Sequence, residues 1–216
     1  MAMKQTVAII GNGDIADGVA AVIDACDLVI RFNDCRSVGK GGSKTDIVAV
    51  CNTGRPARTM MEGEAWKAKP AVMQASAIWL VRDPAKFAAL RAPLRVSHPE
   101  LNDFCDDYSN EYRIFANSTG KELHIIPGVT HDAVDAALVA FEPEPYVVPS
   151  SGLIVIQEVI RNTAGNKPDI VVAGFGHQGW TGHPFAAERR MVDRLASDGL
   201  LRRLPAAAFN PLLQGV

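Results

Sequence analysis

His183 and Glu188 are separated by four residues, and Pro184 stands between them where it can open a helix over 184–197. An imidazole, with an ordinary pKa near ~6.5, is a competent base at neutral pH, and a carboxylate in the first turn of a helix is favoured by its dipole. The pair could therefore take a proton from a hydroxyl, or it could be a histidine beside an N-cap with a well-placed acid. Ser150, Ser151 and Gly152 lie ahead of the apolar run 153–162, leaving backbone N–H groups at a helix mouth where an anion can sit. Gly11-Asn12-Gly13-Asp14-Ile15-Ala16 fits the loose GxGxx[GA] pattern between a strand and a helix. Such a turn either cradles a phosphate or simply turns the chain tightly.

These groups need a frame to bring them together. Thr6–Ile10 reads as a strand, 14–26 as an amphipathic helix, and 27–33 and 46–50 as two further strands around a glycine-rich loop. Beyond a weakly patterned stretch over 53–75, strands are expected at 77–81, 122–126 and 169–175. Helices are expected at 84–90, 99–117, 131–141, 153–162 and 184–197. The alternation predicts an α/β protein with a single Rossmann-like, mostly parallel sheet and helices on both faces. Residues 1–204 form one nucleotide-sugar-binding domain in this reading, and 205–216 a C-terminal tail. The loops at 11–14, 33–45 and 149–152 should meet at the carboxyl ends of the strands, with 174–184 closing over them.

Composition excludes several classes. With 22 Lys and Arg against 24 Asp and Glu, the net charge of −2 gives no general basic field for nucleic acid or an anionic membrane. The first residues run straight into the first strand with neither a leader pattern nor a membrane-length apolar run, so the chain is expected in the cytoplasm. Cys26, Cys35, Cys51 and Cys105 show no metal-type spacing and are expected as reduced, mostly buried thiols. No metal site is expected, and His98, His124 and His131 are read as structural. Gly39 to Thr45 superficially imitates a P-loop, but Ser43 replaces the glycine before Lys44 and a strand follows instead of a helix. Asp34, after the second strand, keeps an NAD(P)-dependent reductase open as a rival, although none of Tyr108, Tyr112 or Tyr146 has a lysine four residues later.

Taken together the motifs resemble those of the animal-type sialyltransferase family. Its long motif is similar to 7–46, with Gly11-Asn12 after a strand, then Asp27-Leu28-Val29-Ile30-Arg31-Phe32-Asn33, Gly39 and Lys44-Thr45. Its short motif resembles Pro149-Ser150-Ser151-Gly152-Leu153 running to Gly174-Phe175, and its very short motif resembles His183 with Glu188. The resemblance implies a Rossmann-like glycosyltransferase that takes a CMP-sugar as donor and transfers the sugar to a hydroxyl acceptor with inversion, using no metal and no further cofactor. It implies donor contacts from Gly11, Asn12, Gly13 and Asn33, a grip on the CMP portion by Ser150, Ser151 and Gly152, and His183 as general base, with Glu188 beside it. It also implies a place for His177 against the leaving phosphate.

The chain departs from the family in two respects. Thr6 stands where a bridging cysteine is found, with none in 146–175, and His177-Gln178-Gly179-Trp180 lies unusually close to His183. Short bacterial chains of this kind also carry an operon-derived label, urease operon accessory protein, which speaks of gene neighbourhood and not of chemistry. The alternative it suggests is a nucleotide-binding accessory protein without catalysis.

Overall fold

The computed structural model describes residues 4–162 and 167–205. Beyond Pro205, the tail expected over 205–216 lies outside the described residues. The strands are β1 (Thr6–Ile10), β2 (Leu28–Phe32), β3 (Ile47–Val50), β4 (Ala77–Leu80), β5 (Glu122–Ile125), β6 (Asp169–Ala173) and β7 (Arg202–Arg203). The α-helices are α1 (Ala20–Asp24), α2 (Gly54–Glu62), α3 (Glu64–Lys67), α4 (Pro70–Gln74), α5 (Pro84–Ser97), α6 (Ser109–Ser118), α7 (Gly128–Leu138), α8 (Ser151–Asn162) and α9 (Phe185–Ser197).

The strands form one seven-stranded sheet in the order β5-β4-β3-β2-β1-β6-β7, with every pairing parallel. The chain steps outward from β1 to β5, then returns to the other side of β1 with β6. The order thus reverses between β1 and β6, and at such a switch point the loops leave in opposite directions and open a crevice beyond the strand ends.

Alternate residues of β1 face opposite layers. Val7 and Ile9 pack with Leu153, Val155, Val159, Met191 and Val192 from α8 and α9, while Ala8 and Ile10 pack with Ile15, Val19 and Ile23. A third cluster joins Val48, Val50, Ile78 and Leu80 to Met60, Trp66, Tyr112 and Ala116. Both faces of the sheet are therefore covered, as a parallel sheet with apolar strands requires. All four cysteines are free and buried. Among the described residues no helix is long and apolar enough to cross a membrane.

Several boundaries differ from the sequence reading. The helix expected over 14–26 is confined to Ala20–Asp24, because Gly18 takes a φ of +84° and breaks the run; Ile15 and Val19 are buried without being helical. The helix expected over 99–117 begins only at Ser109, where the Asp107 carboxylate accepts from its N–H and hydroxyl; residues Pro99–Leu101 form a 3-10 turn. The helix expected to stop at 90 continues to Ser97 through Pro93. The one expected over 131–141 runs Gly128–Leu138 and ends in a 3-10 turn.

Candidate functional site

The glycine turn after β1 is shaped by β6. Gly11 N–H donates to Ala173 O and Gly13 N–H to Gly174 O, both at 2.8 Å. A Cβ on Gly11 would lie 2.3 Å from Gly174 O, and Gly174 itself has a φ of +70°. The glycines let two chains cross at backbone distance, and the amides of Gly11 and Gly13 are engaged by that crossing.

Each of the first three strands is followed by an asparagine that laces the strand ends together. Asn12 donates from Nδ2 to Phe32 O and accepts at Oδ1 from Arg36 N–H. Asn33, in a left-handed conformation that asparagine tolerates, accepts at Oδ1 from Cys51 N–H, and its Nδ2 has no partner among the described residues. Asn52 is fully buried and accepts from Arg82 N–H while donating to Arg82 O and to the Ser109 hydroxyl.

The loop 34–45 is held from beneath. Arg31, fully buried, reaches Lys44 O, Thr45, Ser37 and Gly41 O, and the Asp24 carboxylate accepts from the N–H groups of Ser43 and Lys44. Lys44 turns its ammonium to the carbonyls of Cys26 and Asp27, so the P-loop imitation is a structural staple.

His183 and Glu188 both act on the segment leading into α8. His183 Nδ1 lies 2.8 Å from Val148 O. A carbonyl can only accept, so the proton resides on Nδ1 and Nε2 keeps its lone pair. No partner engages Nε2 among the described residues. The ring is wedged edge-on between Trp180 and Phe185, with centroids 4.8 and 5.3 Å away. Burial, with the Arg82 charge adding to it against the pull of the Val148 carbonyl, holds the imidazole below its ordinary pKa and hence neutral at pH 7. The sequence reading put His183 beside the N-cap with Pro184 first in the helix; α9 instead starts at Phe185 with Pro184 at the N-cap and no side-chain cap bond.

Glu188 is 1% exposed and accepts twice from Ser150, from N–H and from Oγ, each at 2.6 Å. Burial raises its pKa and the two Ser150 bonds oppose the rise. Among the described residues Glu188 makes no hydrogen bond to His183. The N–H groups of Ser151 and Gly152 in the first turn of α8 have no partner among the described residues, and Gly152 is small because a Cβ would meet the Phe175 ring at 2.5 Å.

His177 has a φ of +48°, and its Nε2 accepts from Arg203 Nη2 at 3.1 Å. Burial, then the charges of Arg203 and Arg189, bring its pKa down to about 4. At neutral pH it can offer an anion one N–H and no net charge.

All ten residues singled out in the sequence, Gly11, Asn12, Gly13, Asn33, Ser150, Ser151, Gly152, His177, His183 and Glu188, line one cavity of about 550 Å³ at the β1/β6 switch point. The loop 34–45 contributes only Arg36 to it. Asp34 does not line it and pairs with Lys69 at 3.4 Å. A hollow of about 570 Å³ over Met73, Ile114 and Phe115 draws no residue from the strand ends. Sequence reasoning passed over Arg36, Asn52 and Arg82, and took Phe175 only as the end of the short motif; the signal available for Asn52 was that, like Asn33, it follows an apolar strand.

Fold and cavity together define a doubly wound α/β protein with a crevice at its switch point. The urease operon 23 kDa accessory protein of Rhizobium meliloti (strain 1021) is 55% identical over 215 residues, covering 100% of both chains. The chain belongs to the family of that protein. No family model matches it. Among solved structures it is similar in fold to the sialyltransferase CstII from Campylobacter jejuni, determined in complex with a substrate analogue, cytidine-5'-monophosphate. That likeness has a TM-score of 0.51 at 14% identity, over 97% of this chain and 82% of the other.

Proposed function

We propose that the chain binds CMP or a CMP-sugar in the switch-point cavity and transfers the sugar to a hydroxyl acceptor with inversion, without a metal. The observation that carries this reading is the His183 imidazole, fixed by Val148 O in the wall of the cavity, with its basic Nε2 unengaged by any of the described residues. The acceptor hydroxyl gives its proton to Nε2 as its oxygen attacks the anomeric carbon. The bond from that carbon to the phosphate breaks, and CMP leaves with the electron pair. The departing charge is received by the unpartnered N–H groups of Ser151 and Gly152 at the mouth of α8, by the Arg36 guanidinium and by one N–H of His177.

In this reading Glu188 is a positioning residue, since it holds Ser150 and through it the mouth of α8. Gly11 and Gly13 shape the cavity floor, and Asn33 Nδ2, which no described residue engages, is a donor beside it. The CMP complex of the structurally similar sialyltransferase agrees with the choice of nucleotide.

A second reading, a nucleotide-binding accessory protein without turnover, is favoured by the name of the Rhizobium relative. The position of Asp34, paired with Lys69 outside the cavity lining, weighs against a dinucleotide and so against the reductase. The test is turnover of CMP-sialic acid, by hydrolysis or by transfer to a panel of hydroxyl compounds. Transfer reading: wild type releases CMP and His183→Ala does not, while both bind CMP. Accessory reading: both bind CMP and neither releases it.

A further inference from the structure

Beside the first cavity opens a second of about 380 Å³, and the two share Asn33, Ser151, Trp180 and His183. Arg82, two residues beyond the end of β4, lines the second one. Its main chain is fixed by the Asn52 amide, and its guanidinium lies 4.3 Å from the Phe104 ring centroid and 4.8 Å from that of Phe87. One hydrogen bond engages it, from Nη1 to Thr53 Oγ1 at 2.6 Å. The residue is 8% exposed. Among the described residues no carboxylate pairs with it, and neither Nε nor Nη2 has a partner.

Arg82 is buried along most of its length, but since no side-chain nitrogen among the described residues is both fully buried and unpartnered, its Nε and Nη2 open into the cavity, where an anion can reach them. Arg55 also lines the cavity, but it is paired with Asp103 at 2.9 Å, and Arg58 pairs with the same carboxylate oxygen. The acid in the wall is thus already paired, and Arg82 is the lining guanidinium that rests on aromatic rings without a carboxylate among the described residues. Its Nε and Nη2 form the side-on fork that matches two oxygens of one anion. Phe104 and Trp180, tilted 34° to each other with centroids 5.4 Å apart, supply flat apolar rings beside it.

We propose that this second cavity holds the acceptor and that the acceptor carries an anionic group, carboxylate or phosphate, bound by the free edge of Arg82 while its hydroxyl meets His183. The inference rests on the transfer reading, which makes His183 the base shared by the two cavities. A neutral acceptor would leave the Arg82 fork unanswered, so the charge also serves to discriminate among hydroxyl compounds.

The test is an NMR titration of the full chain, free and saturated with CMP, with methyl glucuronide, the corresponding neutral glucuronamide and glucose 6-phosphate. At least one anion should bind about tenfold more tightly than the amide, the gain expected of a charge-assisted hydrogen bond. Whichever anion is preferred identifies carboxylate or phosphate. In Arg82→Gln the preference should fall to within about twofold, while Arg82→Lys, which keeps the charge without the fork, retains part of it. Equal binding of the amide and both anions by the wild type overturns the proposal without recourse to any variant, and so does a preference that survives in folded Arg82→Gln. The CMP arm is read separately. CMP binding without anion discrimination refutes the anionic acceptor and spares the transfer reading; anion discrimination without CMP binding refutes the transfer reading and with it the acceptor role of this cavity.

Discussion

Replacing Glu188 tests whether the mouth of α8 is built from a distance. The carboxylate accepts two hydrogen bonds of 2.6 Å from Ser150 and is 1% exposed, so water cannot substitute for it. Hydrogen bonds to a charged group contribute about 1.5–3 kcal/mol each, and relief from burying the charge offsets part of their loss, so Glu188→Ala should cost about 3–5 kcal/mol. Glu188→Gln keeps the shape, and its amide oxygen can still accept from Ser150 N–H while the hydroxyl turns to accept from the amide nitrogen. Two neutral bonds then replace two charged ones, but the buried charge goes too, and since burial outweighs the bonds in setting the Glu188 pKa the protein should stay within about 1 kcal/mol of wild type at pH 7.

Because burial raises the Glu188 pKa in the folded state, its contribution is fully present below the unfolded value and is lost as the pH rises through the folded one. The wild type should therefore gain on Glu188→Gln as the pH falls from 7 toward 4. Urea unfolding of the three proteins across that range reads both effects. A Glu188→Ala protein within about 1 kcal/mol of wild type would refute the clamp, since less than one charged hydrogen bond would then be at stake.

If His183 is the base, the rate of CMP-sialic acid turnover should rise with pH along a limb centred below the ordinary histidine value and be flat by pH 7, because burial lowers that pKa; a limb centred above pH 7 contradicts the assignment. Gly11→Ala would drive a methyl to 2.3 Å from Gly174 O and should destabilise by about 3 kcal/mol, read as a lowered melting temperature, whereas an unchanged one would mean that β1 and β6 can separate cheaply. In the buried Glu158, burial raises the pKa, but hydrogen bonds from His124, Thr130 and Asn162 outweigh it and hold it at about 2. Its folded value is thus depressed, so roughly 3 kcal/mol of stability present above pH 4.5 should be lost as the pH falls toward 2. Glu158→Gln should remove that dependence, and acid unfolding curves that superimpose would count against it.

The layers of the fold were legible because parallel strands buried on both faces are written as short apolar runs, and β1 through β6 stand within a residue or two of where those runs fall. Helix boundaries were less so. Ile15, Val19 and Ile23 are all buried, yet only the last is helical, because an apolar period records which side faces the core and not the backbone that carries it there. Gly18, placed inside the run, carried the missed signal. The helix expected to end at 90 runs on through Pro93 to Ser97. β7 is two residues long and rides on β6 through main-chain bonds, leaving no periodicity to read.

At the site, the motifs marked residues that line one cavity, but not their relations. His183 and Glu188 read as a pair one turn apart, whereas each reaches back to the segment before α8, 35 and 38 positions earlier. Arg82 gave no local cue because what sets it apart, the lack of a carboxylate partner among the described residues, becomes visible only when Phe87, Phe104 and Thr53 are seen around it.

The central claim is that the switch-point cavity is a cytidine mononucleotide site. Calorimetric titration of the chain with CMP, set beside UMP, NAD and NADP, tests it most directly. The account predicts saturable binding of CMP that weakens by about 1–3 kcal/mol in Asn33→Ala, where the free Nδ2 donor is removed, and no binding of the dinucleotides. Saturable binding of NAD or NADP with no heat from CMP would contradict it.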